Sequence, residues 1–236
     1  MHLAATVPGV QVHAFEPIPE LFEALTRNLA EHAPGARAHR VALADRAGDA
    51  VFTFDPFMTL GTTMHPDVWK RASDRTASPA AWVAAALSDM HKAQPTASSR
   101  LLAAAARHPA GRVAVLAAAV PVLAALGVRQ RFYLKRHRCT LQTLSSALAD
   151  SGVEAVDLVK IDVEGAEESV LHGIAEQDWP RLRQLVIEVH DVDGRVARLG
   201  SLLEARGYRT VHAREDWALH ALLGISTLYA MRPPGR

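Results

Sequence analysis

Acidic and imidazole side chains stand where the sequence passes from a buried strand into a loop. Asp162 and Glu164 follow an apolar, β-branched run that begins at Val156, and Glu188 and His190 close a second such run. Short apolar runs of this kind are typical of strands buried on both faces of a parallel sheet. Ligands of open α/β sheets bind at the carboxyl ends of strands, so these side chains are candidates for binding and acid–base chemistry.

The residues after Glu164 change from a strand period to a helix period. Ala166, Val170 and Ile174 are spaced four apart, as on one face of a helix, and Gly173 marks its end. A structural alternative for Glu164 is therefore stabilisation of the N-terminus of this helix, where a negative charge is favoured.

A similar strand, acid and helix stand near the start of the sequence. Residues 11–16 are predicted as a strand that closes with Glu16, and Pro17 cannot extend its ladder. Leu21, Phe22 and Leu25 then recur at helical spacing. This is the pattern of the second βα unit of a nucleotide-binding fold, in which a carboxylate accepts hydrogen bonds from both ribose hydroxyls. A solvated glutamate at a helix start is the alternative.

The remaining patterns extend the α/β order along the chain. Asp45 follows a predicted third strand and is either a ligand-binding acid or a plain turn residue. Further strands, the last two of them antiparallel, and an amphipathic helix are predicted from periodicity. The predicted strands are residues 37–43, 49–55, 185–189, 208–212 and 226–231, and the helix is residues 194–206.

Residues 78–128 form a candidate helical insertion, because their composition shifts to alanine, leucine and valine. Helices are predicted over 79–90, 100–107 and 113–128. The last run is uncharged, but it is shorter than the about 20 residues needed to cross a bilayer and contains Pro121. We therefore expect a lid or core-packing helices and no membrane span. The basic residues 129–138 are expected to form a solvated edge, with a packing helix over 140–148.

Composition limits the possible classes of function. The chain has 236 residues, 49% hydrophobic and 22% charged, with a formal net charge of +1. Such a balance is typical of a soluble globular protein and argues against a nucleic-acid binder. Cys139 is the single cysteine, which excludes an internal disulfide and a cysteine-cluster zinc site. No basic and apolar leader opens the sequence, so a cytoplasmic location is expected.

Three strings resemble those of FkbM-type methyltransferases. Lys-Ile-Asp-Val-Glu-Gly-Ala-Glu from Lys160 is close to that family's most characteristic motif. Ala-Phe-Glu-Pro from Ala14 and Ser-Thr-Leu-Tyr-Ala from Ser226 fit two others, although Thr227 stands where an asparagine is common. The resemblance implies a Rossmann-like class I α/β fold. It also implies S-adenosylmethionine as cofactor and methylation of a hydroxyl on a partly apolar polyketide-like metabolite, sugar or lipid.

The resemblance also implies cofactor-binding roles for four acids. Glu16 would bind the ribose of S-adenosylmethionine, and Asp45 would meet the adenine amino group. Asp162 would lie beside the methyl sulfonium of the cofactor, and Glu164 is the fourth residue expected to bind it.

Activation of the acceptor hydroxyl is the remaining chemical task. His190 is the candidate base by residue type, because an imidazole titrates near working pH; a structural histidine is the alternative. Asp162 and Glu188 are also catalytic candidates. As an alternative they hold Mg²⁺, which prefers oxygen ligands, but the family pattern does not require a metal, so none is assigned.

The glycine-rich loop of this fold normally precedes the ribose acid by roughly 20 residues. The residues before Glu16 contain a single glycine, Gly9, which is expected in the turn that enters the strand. We therefore predict an N-terminally truncated methyltransferase domain, residues 1–77 and 129–236, interrupted by the insertion 78–128. Two other classes stay open: a non-catalytic or degraded binding module, and a nicotinamide-dependent oxidoreductase.

Overall fold

A computed structural model of the protein describes residues 6–56, 79–93, 96–105, 133–214 and 217–233, with a few isolated positions between them. The strands are β1 (His13–Phe15), β2 (Arg37–His39), β3 (Ala42–Leu43), β4 (Gly48–Phe54), β5 (Lys135–Gln142), β6 (Val159–Ile161), β7 (Gln184–His190), β8 (Arg209–Ala213) and β9 (Ile225–Met231). The helices are α1 (Pro19–His32), α2 (Pro79–Ala93), α3 (Ala97–Ala105), α4 (Leu144–Ser151), α5 (Glu167–His172), α6 (Arg195–Ala205) and α7 (Ala218–Leu223), with a 3₁₀ turn at Trp179–Arg181.

The strands form three groups that confirm the predicted mixed α/β class. β1 pairs with β2 in parallel. β3 and β4 flank β5 in a second sheet. The third sheet has the order β6-β7-β9-β8, in which β6 and β7 are parallel and the last two strands are antiparallel, as predicted. A single continuous Rossmann-like sheet stays a prediction, because β1 and β6 are each the end strand of their group among the described residues.

The main core lies around β7, where alternate side chains are almost fully buried. Leu185, Ile187 and Val189 are at most 1% exposed, and Leu199 and Leu203 of α6 pack against the same cluster. Burial of such side chains contributes about 1.5–3 kcal/mol each. The core therefore fixes the position of the carboxyl end of β7, where Glu188 and His190 stand.

The described part of the predicted insertion is joined to the segment before β9. Asp89 of α2 is 8% exposed, and its two carboxylate oxygens accept the backbone N–H groups of Ala218 and Leu219 at 2.8 Å each. A carboxylate at the first N–H groups of a helix satisfies donors that have no partner within the helix. This contact holds α2 against α7. The predicted helix over 113–128 lies almost entirely outside the described residues.

None of the helices in the described ranges is long and apolar enough to cross a membrane. A left-handed turn at Gly9 (φ 73°) leads toward β1, as the sequence predicted.

Two local predictions were wrong in part. The basic segment 129–138 was expected to be a solvated edge. From Lys135 its basic side chains are mostly exposed, as predicted, but the residues form β5, which lies between β3 and β4 and pairs antiparallel with the whole of β4. Cys139 is the one residue of this strand with a buried side chain (5% exposed). Because most of its neighbours are basic, the sequence of β5 does not show the alternation of apolar and polar residues that indicates a strand. The predicted strand 37–43 is divided into β2 and β3, which belong to different groups of strands.

Candidate active site

A cleft of about 500 Å³ lies between β1 and β6, each of which is an end strand of its own group of strands. Its walls are mostly apolar, and carboxylates stand at the ends of both strands. A volume of this size is typical of a pocket for a small molecule or cofactor. The lining residues are His13, Ala14, Phe15, Glu16, Pro17, Ile18, Leu21, Ala42, Leu43, Phe52, Met64, Val159, Lys160, Ile161, Asp162, Val163, Glu164, Ala166 and Val170.

Glu16 lies directly after β1 on one wall of the cleft. Its backbone N–H donates to the carbonyl of His39 at 3.0 Å, which continues the pairing with β2. Its side-chain Oε1 accepts the N–H of Ile18 at 2.7 Å. Burial raises the pKa of Glu16, and the hydrogen bond from Ile18 opposes the rise.

Asp162 and Glu164 follow β6 on the opposite wall. The Asp162 side chain is 37% exposed, and Lys160 Nζ lies 2.5 Å from its Oδ2. The Glu164 side chain is 17% exposed. Its backbone has a φ of 51°, in the left-handed region that non-glycine residues seldom adopt. Such strain persists only where the surrounding structure enforces it, and it is often found at functional sites.

Glu188 brings a third carboxylate to the same place. One oxygen from each of Asp162, Glu164 and Glu188 lies within 4.8 Å of the others. Burial, followed by the charge of Asp162, raises the pKa of Glu188. Carboxylates this close attract a cation, and either a hard metal ion or an organic cation suits oxygen donors.

His190 is buried behind this cluster, with its side chain 1% exposed. Its Nε2 lies 3.3 Å from Glu164 Oε2 and its Nδ1 lies 3.3 Å from Glu167 Oε1. Burial disfavours the charged ring, but the hydrogen bonds and charges of Glu164 and Glu167 prevail and raise the pKa of His190 to about 9. A protonated imidazole has no lone pair for an incoming proton. The base role stays a prediction, and the geometry favours a positioning role.

The raised pKa of His190 predicts a pH-dependent stability. The pKa of His190 is about 9 in the folded protein, whereas the ordinary pKa of a histidine side chain is 6.5. The stabilisation is therefore complete below about pH 6.5 and is lost as the pH rises through about 9. Urea unfolding across this range should show a falling free energy of unfolding, with a smaller fall in His190→Gln. An NMR titration of the His190 ring with an ordinary midpoint would contradict the prediction.

Asp45 lies outside the set of described residues that line the cleft. It is exposed, its backbone N–H donates to Ser169 Oγ at 3.1 Å, and its carboxylate meets Arg46 at 3.2 Å. Gly173 permits this approach to α5, because a Cβ there would lie 2.0 Å from the carbonyl oxygen of Ala44. The adenine-binding role of Asp45 stays a prediction.

Two buried charged residues of the site were not predicted. Glu167 is 0% exposed and Arg195 is 8% exposed, and Arg195 Nη1 donates to Glu167 Oε2 at 2.9 Å. The sequence signal for Glu167 is its place two residues after Gly165, inside the motif that starts at Lys160. Arg195 carries no such signal, because it opens an ordinary amphipathic helix.

Comparison with known proteins agrees with the motifs. A model of the methyltransferase FkbM domain matches residues 3–210. The 31-O-demethyl-FK506 methyltransferase FkbM of Streptomyces tacrolimicus is 35% identical over 97% of this chain and 74% of its own length. The methyltransferase sdnD of Sordaria araneosa is 26% identical over 92% of this chain and 72% of its own length.

A stretch of a much larger protein is also similar. The AMB antimetabolite synthetase AmbE of Pseudomonas aeruginosa is 28% identical over 99% of this chain, which corresponds to 10% of that protein. No solved structure matches the chain. The family model spans most of the sequence and agrees with the resemblance found in the motifs, so the chain belongs to the FkbM methyltransferase family.

Proposed function

We propose that the protein is an S-adenosylmethionine-dependent O-methyltransferase that acts on a hydroxyl of a partly apolar small molecule. The observation that carries this proposal is the meeting of Glu16, Asp162 and Glu164 in one cleft between two strand ends. Family membership supports the transfer of a methyl group. The name of the relative from Streptomyces tacrolimicus, which specifies methylation at an oxygen, supports a hydroxyl acceptor.

The residues present fit the cofactor by their chemistry. Glu16 offers a carboxylate oxygen to a pair of ribose hydroxyls, whereas the opposite wall carries the charges of Asp162 and Glu164. S-adenosylmethionine has an ammonium group and a sulfonium group, and both are stabilised by nearby carboxylates. The apolar residues between the walls, among them Phe15 and Leu21, suit the remainder of the molecule.

The chain's own residues then have separate tasks. S-adenosylmethionine supplies an electrophilic methyl group when it is bound. Glu16, Asp162 and Glu164 hold and orient the cofactor, which accounts for much of the rate of a displacement reaction. Removal of a proton from an acceptor hydroxyl is assigned to Glu188, because one of its oxygens lies within 4.8 Å of oxygens of the cleft residues Asp162 and Glu164, and burial raises its pKa.

We further propose that residues 1–77 and 129–236 form one methyltransferase domain, with 78–128 inserted into it. Residues from both parts line the cleft between β1 and β6.

The two alternative functions make different demands on the same cleft. A nicotinamide oxidoreductase would use Glu16 for a ribose in the same way, but it gives no task to the acids after β6. A non-catalytic module would bind an adenosine ligand without acceptor turnover. The acids after β6 favour S-adenosylmethionine over a nicotinamide cofactor, because they would stabilise its ammonium and sulfonium groups and would repel a diphosphate.

Binding measurements distinguish these functions. We expect calorimetry to show binding of S-adenosylmethionine and S-adenosylhomocysteine, and no comparable binding of NADH. Methyl transfer to hydroxyl-bearing metabolites, followed by mass spectrometry, then tests the reaction. Preferential binding of NADH would support the oxidoreductase. Cofactor binding without transfer to any hydroxyl acceptor would support the binding module.

A further inference from the structure

Four charged groups form a continuous chain from the protein interior to the cleft. Arg195 Nη1 lies 2.9 Å from Glu167 Oε2, and Glu167 Oε1 lies 3.3 Å from His190 Nδ1. His190 Nε2 in turn lies 3.3 Å from Glu164 Oε2. The inner three residues are nearly inaccessible, with 8%, 0% and 1% exposure for Arg195, Glu167 and His190. Only Glu164 reaches the cleft.

The same buried groups hold the backbone next to Glu164. Glu167 Oε1 accepts the N–H of Gly165 at 2.8 Å. Arg195 Nη1 donates to the carbonyl of Gly165 at 3.2 Å. The backbone N–H and the carbonyl of this glycine are therefore both hydrogen-bonded to side chains of the four charged residues. This fixes the loop in the conformation that gives Glu164 its left-handed φ of 51°.

Acidic and basic side chains alternate along this chain, because Arg195 meets Glu167, Glu167 meets His190, and His190 meets Glu164. A buried charge is tolerated when it is paired and hydrogen-bonded, and removal of one partner leaves the other uncompensated. The free energy of the folded protein is therefore lowest when all four groups keep their present contacts. These contacts maintain the orientation of Glu164 before any ligand binds.

We propose that Glu167, His190 and Arg195 are positioning residues that hold the Glu164 carboxylate toward the cleft ready for the cofactor. This inference rests on the proposed function, in which Glu164 contacts S-adenosylmethionine. It assigns a task to Glu167 and Arg195, which touch neither the cleft nor the reacting atoms. Preorganisation of this kind raises affinity, because the ligand does not have to order the loop when it binds.

Two readouts test this proposal in Glu167→Gln, which keeps the shape and removes the charge. Affinity for S-adenosylhomocysteine, measured by calorimetry, should fall by at least about tenfold. Amide hydrogen exchange at Gly165 in the ligand-free protein should become faster. The control is Glu168→Gln, the adjacent acid, which pairs with Arg198 at the surface at 2.9 Å and meets Arg195 at 3.6 Å. It should change affinity by less than about twofold.

A second variant tests the proposal if Glu167→Gln does not fold. Glu167→Met with Arg195→Met replaces the buried ion pair by apolar side chains, an exchange that often preserves stability. It should still lose affinity and Gly165 protection. Unchanged affinity and unchanged Gly165 exchange in both variants, while Glu164→Gln weakens binding, would overturn the inference. If Glu164→Gln itself leaves affinity intact, the proposed cofactor contact fails, and faster Gly165 exchange in Glu167→Gln would still support the hold on the loop.

Discussion

Replacement of Glu16 by alanine is expected to weaken binding of S-adenosylmethionine by about 1.5–3 kcal/mol, or roughly ten- to 150-fold. The carboxylate stands at the end of β1 on the cleft wall, with Oε1 bound to the N–H of Ile18 at 2.7 Å. The variant would leave ribose hydroxyls without a charged acceptor. Calorimetry with S-adenosylhomocysteine as well as the cofactor would show an equal loss for both, because they share the ribose.

Glu20→Ala is the matched control for this measurement. Glu20 is four residues further on in α1, and its carboxylate pairs with Lys135 at 2.7 Å and with His137 at 3.2 Å. It lies outside the described lining of the cleft. We expect its loss to alter affinity by less than about 0.5 kcal/mol. Equal affinities for Glu16→Ala and the parent protein would remove Glu16 from the ribose site.

The strand-end positions of Glu16, Asp162 and Glu164 follow from patterns that the sequence displays locally. Each acid ends a short apolar run, and the change to helical spacing after it marks where the strand stops. All three line one cleft in the structure. Their assignment to a single cofactor site rested on the resemblance to the family, and it stays a prediction.

The environment of His190 could not be predicted in the same way. Its charge depends on Glu167, 23 residues earlier, and Glu167 in turn depends on Arg195, 28 residues later. No periodicity in the sequence connects these three elements. The residue type predicts a base near neutral pH, whereas the adjacent carboxylates of Glu164 and Glu167 stabilise the protonated ring.

The surroundings of Asp45 and the strand β5 could not be predicted from the sequence for a different reason. Asp45 follows a strand pattern as Glu16 does, but residues 37–43 divide between two groups of strands. Because β3 pairs with β5, the chain carries Asp45 toward α5, where it meets Ser169. β5 itself was missed since its basic side chains stay exposed while Cys139 is buried. Pairing between strands distant in sequence decided both positions, and composition carries little information about it.

Asp162→Asn is the most informative change in the site, because asparagine keeps the shape of the side chain and removes its charge. Asp162 lines the cleft, and its carboxylate is grouped with those of Glu164 and Glu188. If it binds the cofactor's amino group, affinity should fall by roughly tenfold or more, while kcat at saturating cofactor changes little. We expect this result, since carboxylates are best used here to stabilise the cationic ligand.

A second role would leave a different kinetic pattern. If Asp162 instead prepares the acceptor hydroxyl, cofactor affinity should hold and kcat should fall, and dependence on Mg²⁺ would show that a metal assists. Asp157→Asn is the control, because Asp157 is an exposed acid near the same strand that pairs with Arg183 at 2.7 Å. Asp162→Asn with the parent's affinity and kcat would exclude Asp162 from the site. A loss of affinity in Asp162→Asn, with none in Asp157→Asn, would assign the carboxylate at the end of β6 to the cofactor.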